Sequence, residues 1–175
     1  YHEELAGVIV EPLQRVIPPA PGFLEGLRDV TRRFHVPLIF DEIVTGFRFA
    51  YGGAQEFYGV TPDMCTLGKA VAGGFPLSAV AGSADIMEHF APSDPDAPFV
   101  MQEGTFNGNP IGSVAGLATL KVLRREGTYE RLFATGNRLK EALTRLLYEA
   151  EMPAQVVGEA PMFDVIFTDH KITNY

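Results

Sequence analysis

Two residues in this chain have the type and setting to do chemistry. Asp41 closes the apolar run Leu38-Ile39-Phe40, and Lys69 follows twenty-eight positions later, behind Met64-Cys65-Thr66-Leu67-Gly68. A short apolar run ended by a turn signal reads as a buried strand. In open α/β sheets, ligands bind beyond the carboxyl ends of the strands, so both side chains are expected at one crevice. Lysine is otherwise scarce. Lys121, Lys140 and Lys171 fall on expected helix faces or near the end of the chain, where solvation accounts for them, and Lys69 alone sits in an apolar, Gly-rich stretch.

A lysine buried beside a strand-end aspartate has three readings. It can be a structural ion pair. It can belong to a nucleotide hydrolase, because an apolar strand ending in Asp41-Glu42 looks like a Walker B segment. That reading needs a phosphate loop G-x-x-x-x-G-K-[ST], and here Asp63 stands at the first position and Ala70 at the last. The third reading is a Schiff-base lysine, with the carboxylate holding the pyridine nitrogen of pyridoxal phosphate. A carboxylate at that nitrogen keeps it protonated, because an opposite charge favours the charged form.

The elements that must position this pair can be read along the chain. Leu5 to Val10 is expected as a strand ending at Glu11-Pro12, and the prolines Pro18, Pro19 and Pro21 delay any helix until Phe23. Phe23, Leu24, Leu27, Val30, Thr31 and Phe34 then recur at helical spacing, with Glu25, Arg28, Asp29, Arg32 and Arg33 opposite. Val36 to Phe40 and Met64 to Leu67 read as buried strands, Gly46 to Gly59 as a loop between them, and Leu77 to Ala81 as another strand. Such alternation of strand and helix points to a mostly parallel sheet covered by helices. Asp85 to Phe90 is expected as one or two helical turns, and Pro92, Asp94, Pro95, Asp96 and Pro98 as a solvated loop. Asn109-Pro110 opens a helix to about Arg125, stopped by Gly127. A second helix is expected from Tyr129 to Glu149, with Leu132, Leu139, Leu143, Leu146 and Leu147 on one face, then strands at Ala154 to Val157 and Met162 to Phe167. The change of pattern places a domain boundary near Thr128, giving units 1–127 and 128–175.

Composition narrows the function. The 175 residues are 46% hydrophobic, enough for a real core, and their net charge of −8 argues against nucleic acid, which needs a basic footprint. No apolar stretch approaches the length of a membrane span. Tyr1-His2-Glu3-Glu4 lacks the basic and apolar regions of a signal peptide, and Cys65 is the only cysteine, which fits a reducing, cytoplasmic setting. The absence of an initiating Met, and an end at Tyr175 soon after an apolar run, lead us to expect a piece of a longer chain, inactive by itself. His2, His35, His89 and His170 are scattered without metal-ligand spacing and read as surface or capping residues, so no metal is expected. Asp94 and Asp96 read as part of a solvated loop rather than a calcium site, and G-x-G-x-x-G is absent from the glycines of 73–82.

Several segments together carry a family resemblance. They are Asp41-Glu42-Ile43-Val44-Thr45-Gly46-Phe47-Arg48, Gly52-Gly53-Ala54-Gln55, Thr61-Pro62-Asp63, Leu67-Gly68-Lys69, Gly73-Gly74, and Gly104-Thr105 through Gly108-Asn109-Pro110. In this order and spacing the chain resembles the class III pyridoxal-phosphate aminotransferases, and within them the glutamate-1-semialdehyde 2,1-aminomutase group. The likeness runs from about Val8 to Arg125 and continues weakly to the end.

The resemblance implies fold type I: part of a large, mostly parallel sheet domain and the start of a small C-terminal α+β domain. It implies that Lys69 carries the cofactor as a Schiff base and shuttles a proton, and that Asp41 faces the pyridine nitrogen. Ile43 would pack on one ring face; a core Ile is the bland reading, and the two are compatible. Thr105 would bind the cofactor phosphate of the neighbouring subunit in a homodimer with shared active sites, or would be merely a Thr in a Gly-rich turn. Gln14 falls where many relatives place a Gln near the ring hydroxyl, although Arg15, Val16 and Ile17 depart from the Gly-rich continuation. Glu42 and Arg48 read as structural. The aminomutase pattern has an Asn near position 16, where this chain has Val16. The expected activity is therefore amino transfer between an amino compound and an oxo acid, with the aminomutase reaction as alternative and a non-catalytic remnant of the fold as the third reading. The resemblance puts the phosphate-binding loop and a ring-covering aromatic upstream of Tyr1, and a substrate-carboxylate anchor beyond Tyr175.

Overall fold

The computed structural model describes residues 4–92, 94 and 96–172, so the readings for His2, Pro95 and the chain ends lie outside the described residues. Strands β1 (Val8–Val10), β2 (Leu38–Glu42), β3 (Met64–Leu67) and β4 (Ala79–Gly82) form one sheet in that order. β1, β2 and β3 run parallel and β4 returns antiparallel to β3. Helix α1 (Phe23–Arg33) makes the crossover from β1 to β2. This is the mostly parallel α/β sheet expected from the alternation of elements. β1 is shorter than expected and lies at the edge of the sheet, leaving Leu5 and Ile9 exposed.

The main core is Leu24, Leu38, Phe40, Val60 and Cys65, with Val8, Val10, Leu27, Tyr58 and Leu67 packed against it. The face of α1 differs in part from its sequence reading, although Leu27 packs against the core as expected. Leu24, Arg28 and Thr31 are buried, while Phe23 and Val30 are exposed. The reason is an ion pair: Arg28 Nη1 donates to Asp63 Oδ2 at 2.7 Å, and Leu38 N donates to the same oxygen at 2.7 Å. A buried cation is tolerable when paired and hydrogen-bonded. Asp63 thus ties α1, the start of β2 and the approach to β3 together.

The stretch expected as a loop from Gly46 to Gly59 contains helix α2 (Gly53–Tyr58). A 3₁₀ helix, Lys69–Ala72, follows β3, and α3 (Ala84–Met87) follows β4. Helix α4 (Pro110–Leu123) starts as expected: Asn109 Oδ1 accepts from Ile111 N at 2.9 Å and Gly112 N at 3.4 Å, with Pro110 in the first turn. α4 buries Gly112 and Gly116 and packs on the 3₁₀ helix.

Helix α5 (Thr128–Glu149) leads to an antiparallel pair, β5 (Gln155–Glu159) and β6 (Met162–Ile166). Leu132, Leu139 and Leu146, expected on one face of α5, are exposed, and β5 packs against part of the helix. This C-terminal unit is joined to the first sheet by a second core of Leu13, Phe49 and Ala54, to which Phe133 and Met162 contribute. Phe57 stacks on Phe133 at 5.9 Å, Tyr129 Oη donates to Phe47 O at 3.0 Å, and Arg48 Nη1 donates to Pro161 O at 3.2 Å. Arg48 is thereby structural, as expected.

Candidate active site

Parallel strands bring their carboxyl ends to one edge, and three consecutive strands deliver three of the named residues there. Asp41 lies near the end of β2, in register with Thr66 of β3. Lys69 follows β3, and Gln14 lies in the turn after β1. Asp41 Oδ1 accepts from Thr66 Oγ1 at 2.9 Å and from Ile43 N at 3.1 Å. Its Oδ2 has no hydrogen-bond partner among the described residues. The carboxylate is thus held by one oxygen and offers the other.

Lys69 is exposed, not buried as expected, and among the described residues its amine has neither a hydrogen bond nor an ion pair. The structural ion pair with Asp41 is therefore absent. Lys69 has φ 44, in the left-handed region, where a residue with a Cβ carries a cost of order 1–3 kcal/mol and persists only when its surroundings impose it. Here the 3₁₀ helix that begins at Lys69, held against α4, imposes it. Strain of this kind clusters at functional sites.

Ile43 lies over the chain just before Lys69. A side chain at Gly68 would come within 3.0 Å of Ile43 Cδ1, so the glycine is what allows the approach. The site is therefore a carboxylate, a primary amine and a branched apolar side chain on two adjacent strand ends. Gln14 is exposed, and its backbone carbonyl accepts from Ile17 N at 3.1 Å. Thr105 stands on a different element, the exposed turn ahead of α4. Val16 packs toward the C-terminal unit: a Cβ at Gly158 would lie 3.1 Å from Val16 Cβ.

Glu42, next to Asp41, is fully buried. It accepts from Thr45 Oγ1 at 3.1 Å, Ala54 N at 2.6 Å, Gln55 N at 3.3 Å and Gln55 Nε2 at 2.9 Å. Four donors replace the lost water and let a carboxylate be buried without a cation beside it. The segment from Ile43 to Gln55 is wound around this anchor. Neither the Glu42 cage nor the Thr66–Asp41 bond follows from the sequence motifs. For Thr66 the one available signal is its place near the end of the strand that delivers Lys69.

Cys65 is buried, and burial, together with the nearby Glu42 charge, pushes its thiol above the ordinary range, away from nucleophilic use. A cavity of about 690 Å³ is lined by Tyr51, Gly53, Gln55, Cys65, Leu67 and neighbours, and not by Asp41, Ile43 or Lys69. His35, His89 and His170 are exposed, and among the described residues no group of three His, Cys, Asp or Glu is placed to hold a metal ion. No helix among them is long and apolar enough to cross a membrane.

Comparison with known proteins identifies the family and the fold. The family model for aminotransferase class-III matches residues 1–174. A glutamate-1-semialdehyde 2,1-aminomutase of Pelotomaculum thermopropionicum is 47% identical over 176 residues, covering 99% of this chain and 40% of its own length. Among solved structures, an omega-transaminase from Sphaerobacter thermophilus superposes with TM-score 0.89 at 39% identity, over 97% of this chain and 39% of the other. A glutamate-1-semialdehyde-aminomutase from Pseudomonas aeruginosa PAO1 in complex with PMP gives TM-score 0.81 at 31% identity, over 99% of this chain and 40% of the other. The fold is thus part of a fold type I pyridoxal-phosphate transferase, and the chain spans about 40% of the length of the relative it matches. By sequence and by structure, the chain belongs to the class-III aminotransferase family.

Proposed function

We propose that the intact protein is a pyridoxal-phosphate enzyme that moves an amino group between an amino compound and an oxo acid, with Lys69 as the residue that carries the cofactor. The observation that supports this best is that a Lys69 amine without a partner among the described residues and a half-open Asp41 carboxylate stand at the ends of two adjacent parallel strands. The residues present fit the ring end of the group: an anion for the pyridine nitrogen, an amine for the aldehyde, and Ile43 for one apolar face. When bound, pyridoxal phosphate supplies an electron sink for the carbanion left by loss of a substrate proton.

The chain's own residues do the rest. Lys69 holds the cofactor through its amine, and once released it takes the proton from the substrate carbon and returns it. Asp41 keeps a positive charge on the pyridine nitrogen. Ile43 would exclude water from one face of the ring, and Gln14, in the turn after β1, would serve the ring hydroxyl. We assign residues 1–127 to the cofactor domain and 128–175 to the start of the small domain. We also assign a cytoplasmic homodimer in which Thr105 serves the phosphate of the neighbouring subunit. The exposed apolar face of α4, with Ile111 and Val114 each 64% exposed, supports such an interface.

A second reading, the aminomutase reaction, is favoured by the 47% identity to the P. thermopropionicum enzyme. Turnover of an amino donor with and without an added oxo acid separates the two. An obligatory acceptor, with labelled nitrogen appearing in it, supports the transaminase. Conversion of glutamate-1-semialdehyde to 5-aminolevulinate without acceptor supports the aminomutase. Neither activity in the intact dimer would mean a non-catalytic remnant.

A further inference from the structure

We propose that Thr66 is a positioning residue that sets the direction in which Asp41 presents its carboxylate to the cofactor ring, an inference that rests on Asp41 being the pyridine partner. A strand-end Asp that is only half-buried can turn about two side-chain bonds, and its charge is useful only in the rotamer that faces the ring. Two donors converge on the same oxygen: Thr66 Oγ1 at 2.9 Å and Ile43 N at 3.1 Å both reach Asp41 Oδ1. With Oδ1 taken twice, Oδ2 is the oxygen left for an N–H donor.

The Thr66 contact is built into the sheet. Thr66 is the register partner of Asp41 across the parallel β2–β3 ladder, so backbone hydrogen bonds place its Cβ beside that of Asp41. Its β-branched side chain has few rotamers, which keeps the hydroxyl where the ladder puts it. The alternative is that Thr66 serves the strand alone. Val fills the same volume and is as good a strand former, so a purely structural role tolerates Val, whereas the positioning role requires a hydroxyl.

The test uses the intact protein and pyridoxal phosphate labelled with ¹⁵N at the pyridine nitrogen. Its readouts are the ¹⁵N chemical shift of the bound cofactor and its Kd for the apo-protein. The wild type and Thr66→Ser are expected to show the protonated nitrogen and equal affinity. Thr66→Val should move the shift toward the unprotonated value and raise Kd by no more than Asp41→Asn does, because Thr66 acts through that carboxylate. Should the Val variant not fold, Thr66→Ala replaces it in the comparison with Ser. If Asp41→Asn leaves the wild-type shift unchanged, the reading of Asp41 falls, and this inference with it. If Asp41→Asn moves the shift while Thr66→Val does not, or if Ser behaves as Val does, only the role of Thr66 is overturned.

Discussion

Glu42 and Gly53 fit together as a buried carboxylate and a residue with no side chain to collide with it. Gly53 has φ +74, and any Cβ there would overlap Glu42 Oε2, while the next amide, Ala54 N, donates to that same oxygen at 2.6 Å. The chain therefore passes over the carboxylate at hydrogen-bond distance and begins α2 there. Because Glu42 follows Asp41 directly, this anchor also sets the turn that places Ile43.

Gly53→Ala is expected to destabilise the intact protein, through both the positive φ and the overlap. Glu42→Gln should cost more, because an amide has one acceptor oxygen for donors that now share two. About 1–3 kcal/mol is lost for each buried donor left without a partner. Thermal or denaturant unfolding of both variants measures this. Wild-type stability in Glu42→Gln would contradict the anchor.

Asp63 carries a pH dependence. Burial pushes its carboxyl up, but the Leu38 N–H and the Arg28 guanidinium together outweigh burial and hold it below 3.8. A depressed carboxyl contributes stability that is present above the unfolded value and is lost as pH falls through the lower folded value. Wild-type stability should therefore fall as the solution is acidified from about pH 5, and Asp63→Asn should be less stable near neutrality with a flatter acid limb. Parallel acid-unfolding curves for the two proteins would refute this.

Tyr58 works in the opposite direction. Its hydroxyl is buried with no hydrogen-bond partner among the described residues. Burial, then the charge of Glu159, pushes the phenol up to about 12. Its contribution is intact below the ordinary value of 10.0 and lost as pH rises through about 12. Tyr58→Phe removes an unsatisfied group and should raise stability by about 1 kcal/mol near neutrality, while the alkaline loss shrinks. A drop in the melting temperature of this variant would show that the hydroxyl has a partner in solution.

Much of the fold is legible in the sequence, and the departures from that reading have local causes. Asn109-Pro110 is a cap written in consecutive residues, and α4 begins there. Helix α2 is hidden because Gly52-Gly53 looks like a turn, and the group that receives its first amides is the side chain of Glu42, distant in the chain. Leu24, Leu27 and Thr31 of α1 face the core as its periodicity suggests, but Arg28 joins them, because its partner Asp63 is thirty-five residues away. Apolar neighbours suggest a buried Lys69, yet a left-handed φ turns it out of the sheet end into the open. Asp41 and Lys69 are legible because their spacing from apolar strands is local information. The bond from Thr66 is not, because register between strands is not local.

Asp41→Asn should keep much of the cofactor binding, since Thr66 and Ile43 can still donate to its oxygen, but it cannot supply the negative charge. Proton abstraction in the half-reaction should slow by on the order of 10²–10³-fold, the scale for losing one preorganised electrostatic partner. Stopped-flow rates of the half-reaction with an amino donor measure it. Equal rates in the two proteins would remove Asp41 from the site.

The most direct test is of Lys69 itself. Borohydride reduction of the intact, cofactor-loaded protein should fix the cofactor to one lysine as a stable secondary amine, because hydride traps the bond between amine and aldehyde. Peptide mapping is expected to find the label on Lys69, and Lys69→Ala should lose both the label and nearly all turnover. A label on Lys121, Lys140 or Lys171, or full labelling of Lys69→Ala, would contradict the assignment of this site.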